Sequence, residues 1–285
     1  MENNPQVAIM IPVYNGEKTL PLALASLVNQ TYHNWKCYMV NDGSTDRTKE
    51  ILDGLNDERF EVIHFEQNKG RPFARQAALD KAEGKYLALL DADDFYHPDK
   101  LTKQVLFMES NPDIHLVGTG VGSFDSSKGK LLRIRGDKKI HSRKFKIGQE
   151  LSVVHGSCML RLDDAKKIKY NKKLKYAQDM DFLTRYLKGR KYANLPDVLY
   201  YYSEFNSVTA KKILKTRWYG LMRKINLIRY APLPMMLSVI KHLLKWLLTA
   251  IMIPFTGAVY FINNRGKKPT MDETQRFLQT FQNLN

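Results

Sequence analysis

The chain opens with short apolar runs set between longer amphipathic ones. Residues 7–12 are unbroken apolar sequence, suited to a strand covered on both faces. Residues 17–29 place Leu20, Leu24, Leu27 and Val28 on one helical stripe. Residues 35–40 predict the next strand, which runs into Asn41-Asp42-Gly43. Residues 45–55 and 71–82 predict helices, and residues 85–90 a further strand. This alternation predicts βαβ units and a parallel sheet. Ligands of such sheets bind beyond the carboxyl ends of the strands. The polar clusters Tyr14-Asn15-Gly16, Asn41-Asp42-Gly43-Ser44 and Asp91-Ala92-Asp93-Asp94 fall there.

The later chain is less regular. Residues 128–175 are basic, 179–187 read as a helix, 192–202 as a strand and 207–229 as a helix. Over residues 234–249, helical spacing puts Ser238, Lys241, His242, Lys245 and Thr249 on one face. Met236, Val239, Ile240, Leu243, Leu244 and Leu247 lie on the other. Residues 246–262 then run without a charge, interrupted by Pro254 and Gly257. That is slightly short of the ~20 apolar residues a spanning helix needs. Lys241 and Lys245 precede it, and Arg265, Lys267 and Lys268 follow. The segment reads as a membrane-surface anchor or re-entrant hairpin, with a buried hairpin capping the domain as the plainer alternative. Thr270-Met271-Asp272-Glu273 predicts a capping box. It opens a last helix with Phe277, Phe281 and Leu284 on one face.

Composition changes the picture in two ways. With 285 residues, 44% of them hydrophobic, the chain can build a full core, which excludes wholesale disorder. Its two cysteines, Cys37 and Cys158, exclude a disulfide scaffold. Residues 1–6 are polar, with no leader pattern, so a reducing, cytoplasmic setting is expected. The net charge of +16 is unevenly divided. Residues 1–127 carry 12 Lys and Arg against 19 Asp and Glu, and residues 128–285 carry 33 against 10. The basic half suggests a polyanionic partner, nucleic acid or an anionic membrane. No helix-turn-helix, zinc-finger or aromatic-basic RNA motif is visible. A sugar-phosphate nucleotidyltransferase would need a glycine-rich phosphate loop near the first strand, and Tyr14-Asn15-Gly16 is not one. These two classes stand as the alternatives.

Asp91-Ala92-Asp93-Asp94 carries the strongest chemical signal. Three carboxylates in four residues repel one another, and a divalent cation relieves that repulsion; hard oxygen ligands suit Mg²⁺ or Mn²⁺. The plainer reading is an N-cap for the helix after Pro98. Asp42, at a strand end, could read a base or a ribose hydroxyl, while Asp46 or Thr45 caps the next helix. Arg75 could reach a diphosphate or be an ordinary surface arginine. His155 could bind acceptor or phosphate, or sit in the core. Cys158 reads as a small buried apolar residue rather than a nucleophile.

Together these residues resemble the nucleotide-binding half of the family 2 glycosyltransferases with the GT-A fold. The resemblance runs through Ile11-Pro12-Val13-Tyr14-Asn15-Gly16-Glu17, Leu27-Val28-Asn29-Gln30-Thr31 and Val40-Asn41-Asp42-Gly43-Ser44-Thr45-Asp46-Arg47-Thr48. Asn68-Lys69-Gly70 with Ala74-Arg75, Ala82-Glu83-Gly84-Lys85-Tyr86 and Leu90-Asp91-Ala92-Asp93-Asp94 continue it in order. Past residue 127 it thins to Gly156-Ser157-Cys158-Met159-Leu160-Arg161 and Gln178-Asp179.

The resemblance implies an α/β fold: a GT-A type, Rossmann-like, mostly parallel sheet flanked by helices. C-terminal amphipathic and apolar membrane-associating helices would follow it. Residues 1–127 would form the donor half, 128–230 the acceptor and catalytic-base half, and 231–285 the membrane-associating helices and tail. Pro12, Val13, Tyr14, Asn15, Glu17 and Asp42 would hold the nucleoside, commonly uridine. Arg75, Asp91 and Ala92 would support the ribose-diphosphate, and Asp93 would ligate Mn²⁺ or Mg²⁺. Asp179 would be the base of an inverting transfer, with Asp181 as fallback. His155, Gly156 and Gln178 are the other acceptor or phosphate candidates.

The implied reaction moves one sugar from a nucleotide-sugar donor to a polyprenyl diphosphate-linked sugar or glycan acceptor in surface polysaccharide synthesis. The expected partners exclude nucleic acid. They include an anionic membrane surface, at the inner face of the cell membrane, and a second copy through the C-terminal helices. Three departures stand out. Gln178 replaces the family's usual Glu, and Ser203-Glu204-Phe205-Asn206 stands where an Arg and a His are common. Leu214 replaces the Gln of the Gln-x-x-Arg-Trp motif of processive synthases, although Arg217-Trp218 is present.

Overall fold

The computed structural model describes residues 4–137, 139–174, 176–204, 209–228, 232–263 and 266–284. In chain order the first half holds β1 (Val7–Val13), α1 (Leu20–Val28), β2 (Trp35–Asn41), α2 (Thr48–Asp53), β3 (Phe60–His64), α3 (Arg71–Lys81) and β4 (Tyr86–Leu89). Next come β5 (Phe95–Tyr96), α4 (Lys100–Ser110), β6 (Ile114–Asp125), β7 (Lys130–Arg135) and β8 (His141–Lys144). A short turn of 3-10 helix (His155–Ser157), β9 (Met159–Arg161), α5 (Leu162–Lys166), α6 (Gln178–Leu187) and β10 (Lys191–Ser203) complete the sheet-forming part. Three helices end the chain: α7 (Ala210–Leu227), α8 (Pro232–Asn263) and α9 (Met271–Gln282).

One mixed sheet runs β3-β2-β1-β4-β9-β6-β10-β5, with β7 beside β6 and β8 beside β10. The strands β2, β1 and β4 are mutually parallel, as the alternation in the sequence predicts, and β3, which the sequence reading passes over, pairs parallel to β2. β9 enters antiparallel to both β4 and β6. Both faces of β1 are dry because its side chains alternate between two cores. Val7, Ile9, Ile11 and Val13 meet Leu20, Leu24 and Leu27 of α1 and Leu101 and Val105 of α4. Ala8 and Met10 meet Ala74, Ala78 and Leu79 of α3 and Phe182 and Leu183 of α6. Each such leucine contributes roughly 1.5–3 kcal/mol of burial.

Residues 128–175, which read as irregular, contain β7, β8, β9 and α5. The ends of the helix read over 207–229 lie outside the described residues. α7 and α8 pack against each other. Lys224 donates to Ser238 Oγ (2.8 Å) and Trp246 Nε1 to Leu214 O (3.2 Å), while His242 Nε2 lies 3.0 Å from Arg217 O. The polar face of α8 therefore faces the protein, with Thr249 buried, while Leu244, Leu248, Ile251 and Phe255 of the apolar face are exposed. Over 246–262, α8 carries Pro254 inside it and is broken at Gly257 (φ 70°), so it consists of two helices joined by a kink. Residues 232–257 are long and apolar enough to cross a membrane by length and composition, with mean hydropathy 1.6. Arg265 lies outside the described residues.

The capping box at Thr270 forms as its spacing predicts. Phe277 of α9 is fully buried against Phe95, Phe124 and Tyr201, so the last helix packs back on the sheet.

Candidate active site

The loops leaving β1 and β2 are stitched together by their own polar groups. Asn15 N donates to Ser44 Oγ (2.9 Å), and Asn15 Oδ1 accepts from Thr45 N (2.9 Å). Gly16 N donates to Thr48 Oγ1 (2.8 Å), Glu17 N to Asp46 Oδ2 (3.1 Å) and Arg47 N to Glu17 Oε2 (3.2 Å). Asp46 also accepts from Thr48 N (3.0 Å), but the N-cap of α2 is Arg47, which makes no side-chain cap bond, so neither Asp46 nor Thr45 is the cap that the sequence suggests. Asp42 is buried, and its carboxylate accepts from Lys69 N (2.7 Å) and Gly70 N (2.9 Å). It clamps the loop after β3 with two of its roughly four lone-pair positions, leaving the others for a ligand. Gly43 makes the clamp possible: at φ 65° it passes so close that a Cβ would stand 2.3 Å from the Gln67 carbonyl carbon. The Val13 side chain is buried, Pro12 half-buried, and Tyr14 projects from this fixed wall with 48% of its surface exposed. A rigid ledge with one protruding aromatic can stack a planar ring.

Beyond β4 the three carboxylates part company. Arg75 Nη2 donates to Asp91 Oδ1 at 2.7 Å. Arg75 is 3% exposed, which excludes the surface-arginine reading, and its Nε and Nη1 have no hydrogen-bond partner. Burial would raise the Asp91 pKa, but Arg75, with His155 and Arg71, holds it down to about 2. Asp94 is fully buried and accepts from the Tyr200 hydroxyl and from Ser203 N (2.8 Å), tying β4 to β10. Burial, with Asp93 and Asp91 nearby, pushes its carboxyl well up. Asp91 and Asp94 thus have protein partners of their own, so the repulsion within the cluster does not by itself require the shared cation that the sequence suggests. Among the described residues no group of three His, Cys, Asp or Glu is gathered to cage a metal. Asp93 is exposed beside buried Ala92. A single exposed carboxylate fits a hydrated Mg²⁺ or Mn²⁺ that takes its other ligands from water and phosphate.

The second side of the site comes from the 3-10 turn and α6. His155 is buried, with Nε2 3.2 Å from the Tyr170 hydroxyl and Nδ1 without a partner. Burial and Arg75 lower its pKa to about 4, against the pull of Asp179 and Asp91, so it is neutral at pH 7. Gly156 serves packing: a Cβ there would stand 2.1 Å from the Tyr200 hydroxyl oxygen. Gln178 is buried at the start of α6, and Asp179 follows it, half-buried. Asp181 is occupied, its Oδ2 receiving Arg185 Nη2 (2.7 Å) and Nε (2.9 Å). Cys158 is buried, and burial pushes its thiol up to about 12, which leaves it inert.

Two non-glycine residues among those described hold positive φ: Asn15 at 52° and Ala177 at 55°. Each abuts the candidate residues, and such strain persists where the surroundings over-determine it. Tyr170 went unnoticed in the sequence; it stacks on Phe182 at 4.2 Å and carries the hydroxyl that His155 meets. Arg135 of β7 is also new, reaching Glu204 at 3.9 Å and donating to Ser123 Oγ (3.3 Å). It brings a guanidinium to the loop that lacks the family's arginine. Phe205 and Asn206 of that loop lie outside the described residues. Two cavities, of 470 and 780 Å³, open beside α6.

Comparison with known proteins places the chain. The profile of "Glycosyl transferase family 2" matches residues 8–168. An uncharacterised glycosyltransferase of Haemophilus influenzae is 38% identical over 46% of this chain and 53% of its own length. One of Methanocaldococcus jannaschii is 35% identical over 64% of this chain and 65% of its own. The Escherichia coli protein WfgD, a UDP-Glc:alpha-D-GlcNAc-diphosphoundecaprenol beta-1,3-glucosyltransferase, is 36% identical over 37% of this chain and 42% of its own. The matches thus span from under half to about two thirds of these relatives.

Among solved structures, S. aureus TarS in complex with UDP superposes with a TM-score of 0.62 at 20% identity, covering 98% of this chain and 80% of that one. The mannosyltransferase PcManGT from Pyrobaculum calidifontis, with GDP-Man and Mn²⁺, gives 0.63 at 14% identity, covering 99% and 86%. These likenesses carry the fold, and the profile carries the membership: the chain belongs to glycosyl transferase family 2, with a GT-A type fold.

Proposed function

We propose that the chain moves one sugar, with inversion, from a UDP-sugar to a hydroxyl of a lipid-linked or glycan acceptor in surface polysaccharide synthesis. The observation that carries this reading is Arg75: a buried guanidinium at the strand ends, with one N–H on Asp91 and two nitrogens, Nε and Nη1, unspent. Buried unspent donors are costly, and diphosphate oxygens are the acceptors that a planar guanidinium fork suits. Pro12, Val13, Tyr14, Asn15, Glu17 and Asp42 hold the nucleoside, with Tyr14 against the base. Asp91 and Ala92 line the ribose-diphosphate. Asp93 holds the divalent cation, which supplies charge neutralisation for the departing diphosphate.

Asp179 is the general base. It takes the proton of the acceptor hydroxyl as that oxygen bonds to the anomeric carbon from the face opposite the diphosphate. The bond from that carbon to the diphosphate oxygen breaks, and nucleoside diphosphate leaves. Asp179 suits the role because no ion pair among the described residues holds it, unlike Asp181. Residues 1–127 make the donor half and 128–230 the acceptor half. Within residues 231–285, α8 is the part that lies on an anionic membrane. Transfer of a single sugar fits Leu214 standing where processive synthases carry the Gln of Gln-x-x-Arg-Trp.

The test is release of nucleoside diphosphate from a panel of nucleotide sugars, with Mn²⁺ and a polyprenyl diphosphate-linked sugar. Uridine donors are expected to react. Turnover of no nucleotide sugar would refute the reading.

A further inference from the structure

The 780 Å³ cavity lies between α6, α7 and α8, away from the loops that face the donor. Its walls carry Arg217, Arg223, Lys224, Lys241 and Lys245, against one carboxylate, Glu150. Five cations around one hollow repel each other, and the carboxylates that act on them, Asp179 and Asp181 on Arg223 and Glu150 on Lys224, offset only part of that cost. Two are held in place: Arg223 Nη1 donates to Thr184 Oγ1 (3.1 Å) and Lys224 Nζ to Ser238 Oγ (2.8 Å). Burial lowers the pKa of both, so an anion in the cavity would relieve a real electrostatic cost.

Two further features fix what kind of anion fits. On one side the cavity is walled by Met180 and Thr184 of α6, the helix whose first turn bears Asp179. Thr184 lies about 7.5 Å along the helix from Asp179, at 1.5 Å per residue, and Arg223, which donates to Thr184, is a group on which Asp179 acts. On the other side it is bounded by Leu237 and Met235 of α8, and Leu237 belongs to the exposed apolar face. The occupant therefore has an anionic centre, a polar portion directed toward Asp179 and an apolar portion directed along α8.

We propose that this cavity binds the diphosphate of a polyprenyl diphosphate-linked acceptor, with the polyprenyl chain running out along the apolar face of α8. The inference rests on the transferase reading and names its acceptor class. Phosphate oxygens bind Arg223 and Lys224 at the floor, Lys241 and Lys245 close the rim, and the first sugar spans from the diphosphate to Asp179. A phospholipid headgroup offers similar phosphate chemistry, so the experiment separates the two.

Binding is measured on the full chain, without donor, using farnesyl diphosphate, farnesol, inorganic diphosphate and phosphatidylglycerol vesicles. Farnesyl diphosphate is expected to bind more tightly than farnesol or inorganic diphosphate, and excess phosphatidylglycerol should not displace it. Lys224→Gln and the rim pair Lys241→Gln/Lys245→Gln should each weaken it about tenfold or more, the scale of one lost charge-assisted contact. Lys241 and Lys245 are exposed, so the rim pair keeps the test valid if Lys224→Gln fails to fold.

A dissociation constant for farnesyl diphosphate above about 1 mM overturns the proposal. So does displacement by phosphatidylglycerol, or affinity unchanged in both variants. Because no donor is present, binding without turnover of any nucleotide sugar would refute the transferase reading while leaving the diphosphate site standing.

Discussion

Arg75 Nη2 lies 2.7 Å from Asp91 Oδ1, joining α3 to the end of β4 across the mouth of the parallel strands. Removing one partner of a buried pair strands the other charge, at about 3–5 kcal/mol when both are fully buried. The Asp91 side chain keeps 32% exposure, so water softens the loss. Arg75→Met is expected to cost about 2–3 kcal/mol in urea unfolding. Arg75→Lys should recover little of it, because a compact ammonium does not replace the planar fork. Full recovery by lysine would show that only the charge matters.

Asp179 and Asp181 separate base from scaffold. Asp179→Asn should lower kcat by about 10²–10⁴-fold with little change in Tm, the range for a lost general base. Asp181→Asn should lower Tm, because Arg185 loses its partner, and leave kcat within about tenfold. Steady-state rates and thermal melts on both variants check this, and the opposite pattern would move the base to Asp181.

Lys100 is fully buried, its Nζ 2.8 Å from Gln104 Oε1 and 3.9 Å from the Tyr96 ring centroid. Burial lowers its pKa to about 7. The unfolded chain then holds the extra proton between about pH 7 and 10.4, so stability rises with pH across that window. Relative to Lys100→Met, the native chain should gain up to about 1.4 kcal/mol per pH unit there and nothing below pH 7. Urea midpoints at pH 7, 8 and 9 check the slope.

Most of the first half of the chain, β3 (Phe60–His64) excepted, was legible because its signals are local. Strands dry on both faces leave unbroken apolar runs, and their turns concentrate Asn, Asp and Gly in a few residues. β6 was not legible. Its Gly118, Gly120 and Gly122 argue against a strand, yet each is needed where β10 presses close. Cβ atoms there would stand 2.6 Å from Asn194 Oδ1, 2.9 Å from the Asp197 carbonyl oxygen and 2.9 Å from the Tyr201 ring. The fates of Asp91 and Asp94 were hidden for a related reason. Their partners, Arg75 and Tyr200, lie 16 and 106 residues away, and spacing says nothing about such pairs.

The outward face of α8 predicts vesicle binding. Leu248→Glu with Ile251→Glu should release the protein from phosphatidylglycerol vesicles in flotation assays. Stability to urea should change by less than about 0.5 kcal/mol, because both side chains are exposed. Unchanged flotation would mean that another surface meets the lipid.

The division of labour among the carboxylates predicts the metal response. EDTA should abolish transfer, and Mn²⁺ or Mg²⁺ should restore it. Asp93→Ala should prevent the restoration while leaving the fold intact, because Asp93 is exposed. Asp94→Ala should instead lower Tm, since Tyr200 and Ser203 N lose their acceptor. Full activity in EDTA would exclude the cation.

The return of α9 to the sheet bears on how α8 can move. On one side α8 is fastened to α7 through Ser238, His242 and Trp246. Beyond it, Lys267 pairs with Ile134 of β7, and Phe277 is sunk among Phe95, Phe124 and Tyr201. The part of α8 before Gly257, fastened to α7, cannot swing like a free tail. It is a keel fixed to the hull, and the height of Asp179 above any surface on which it rests is a draught set by the fold.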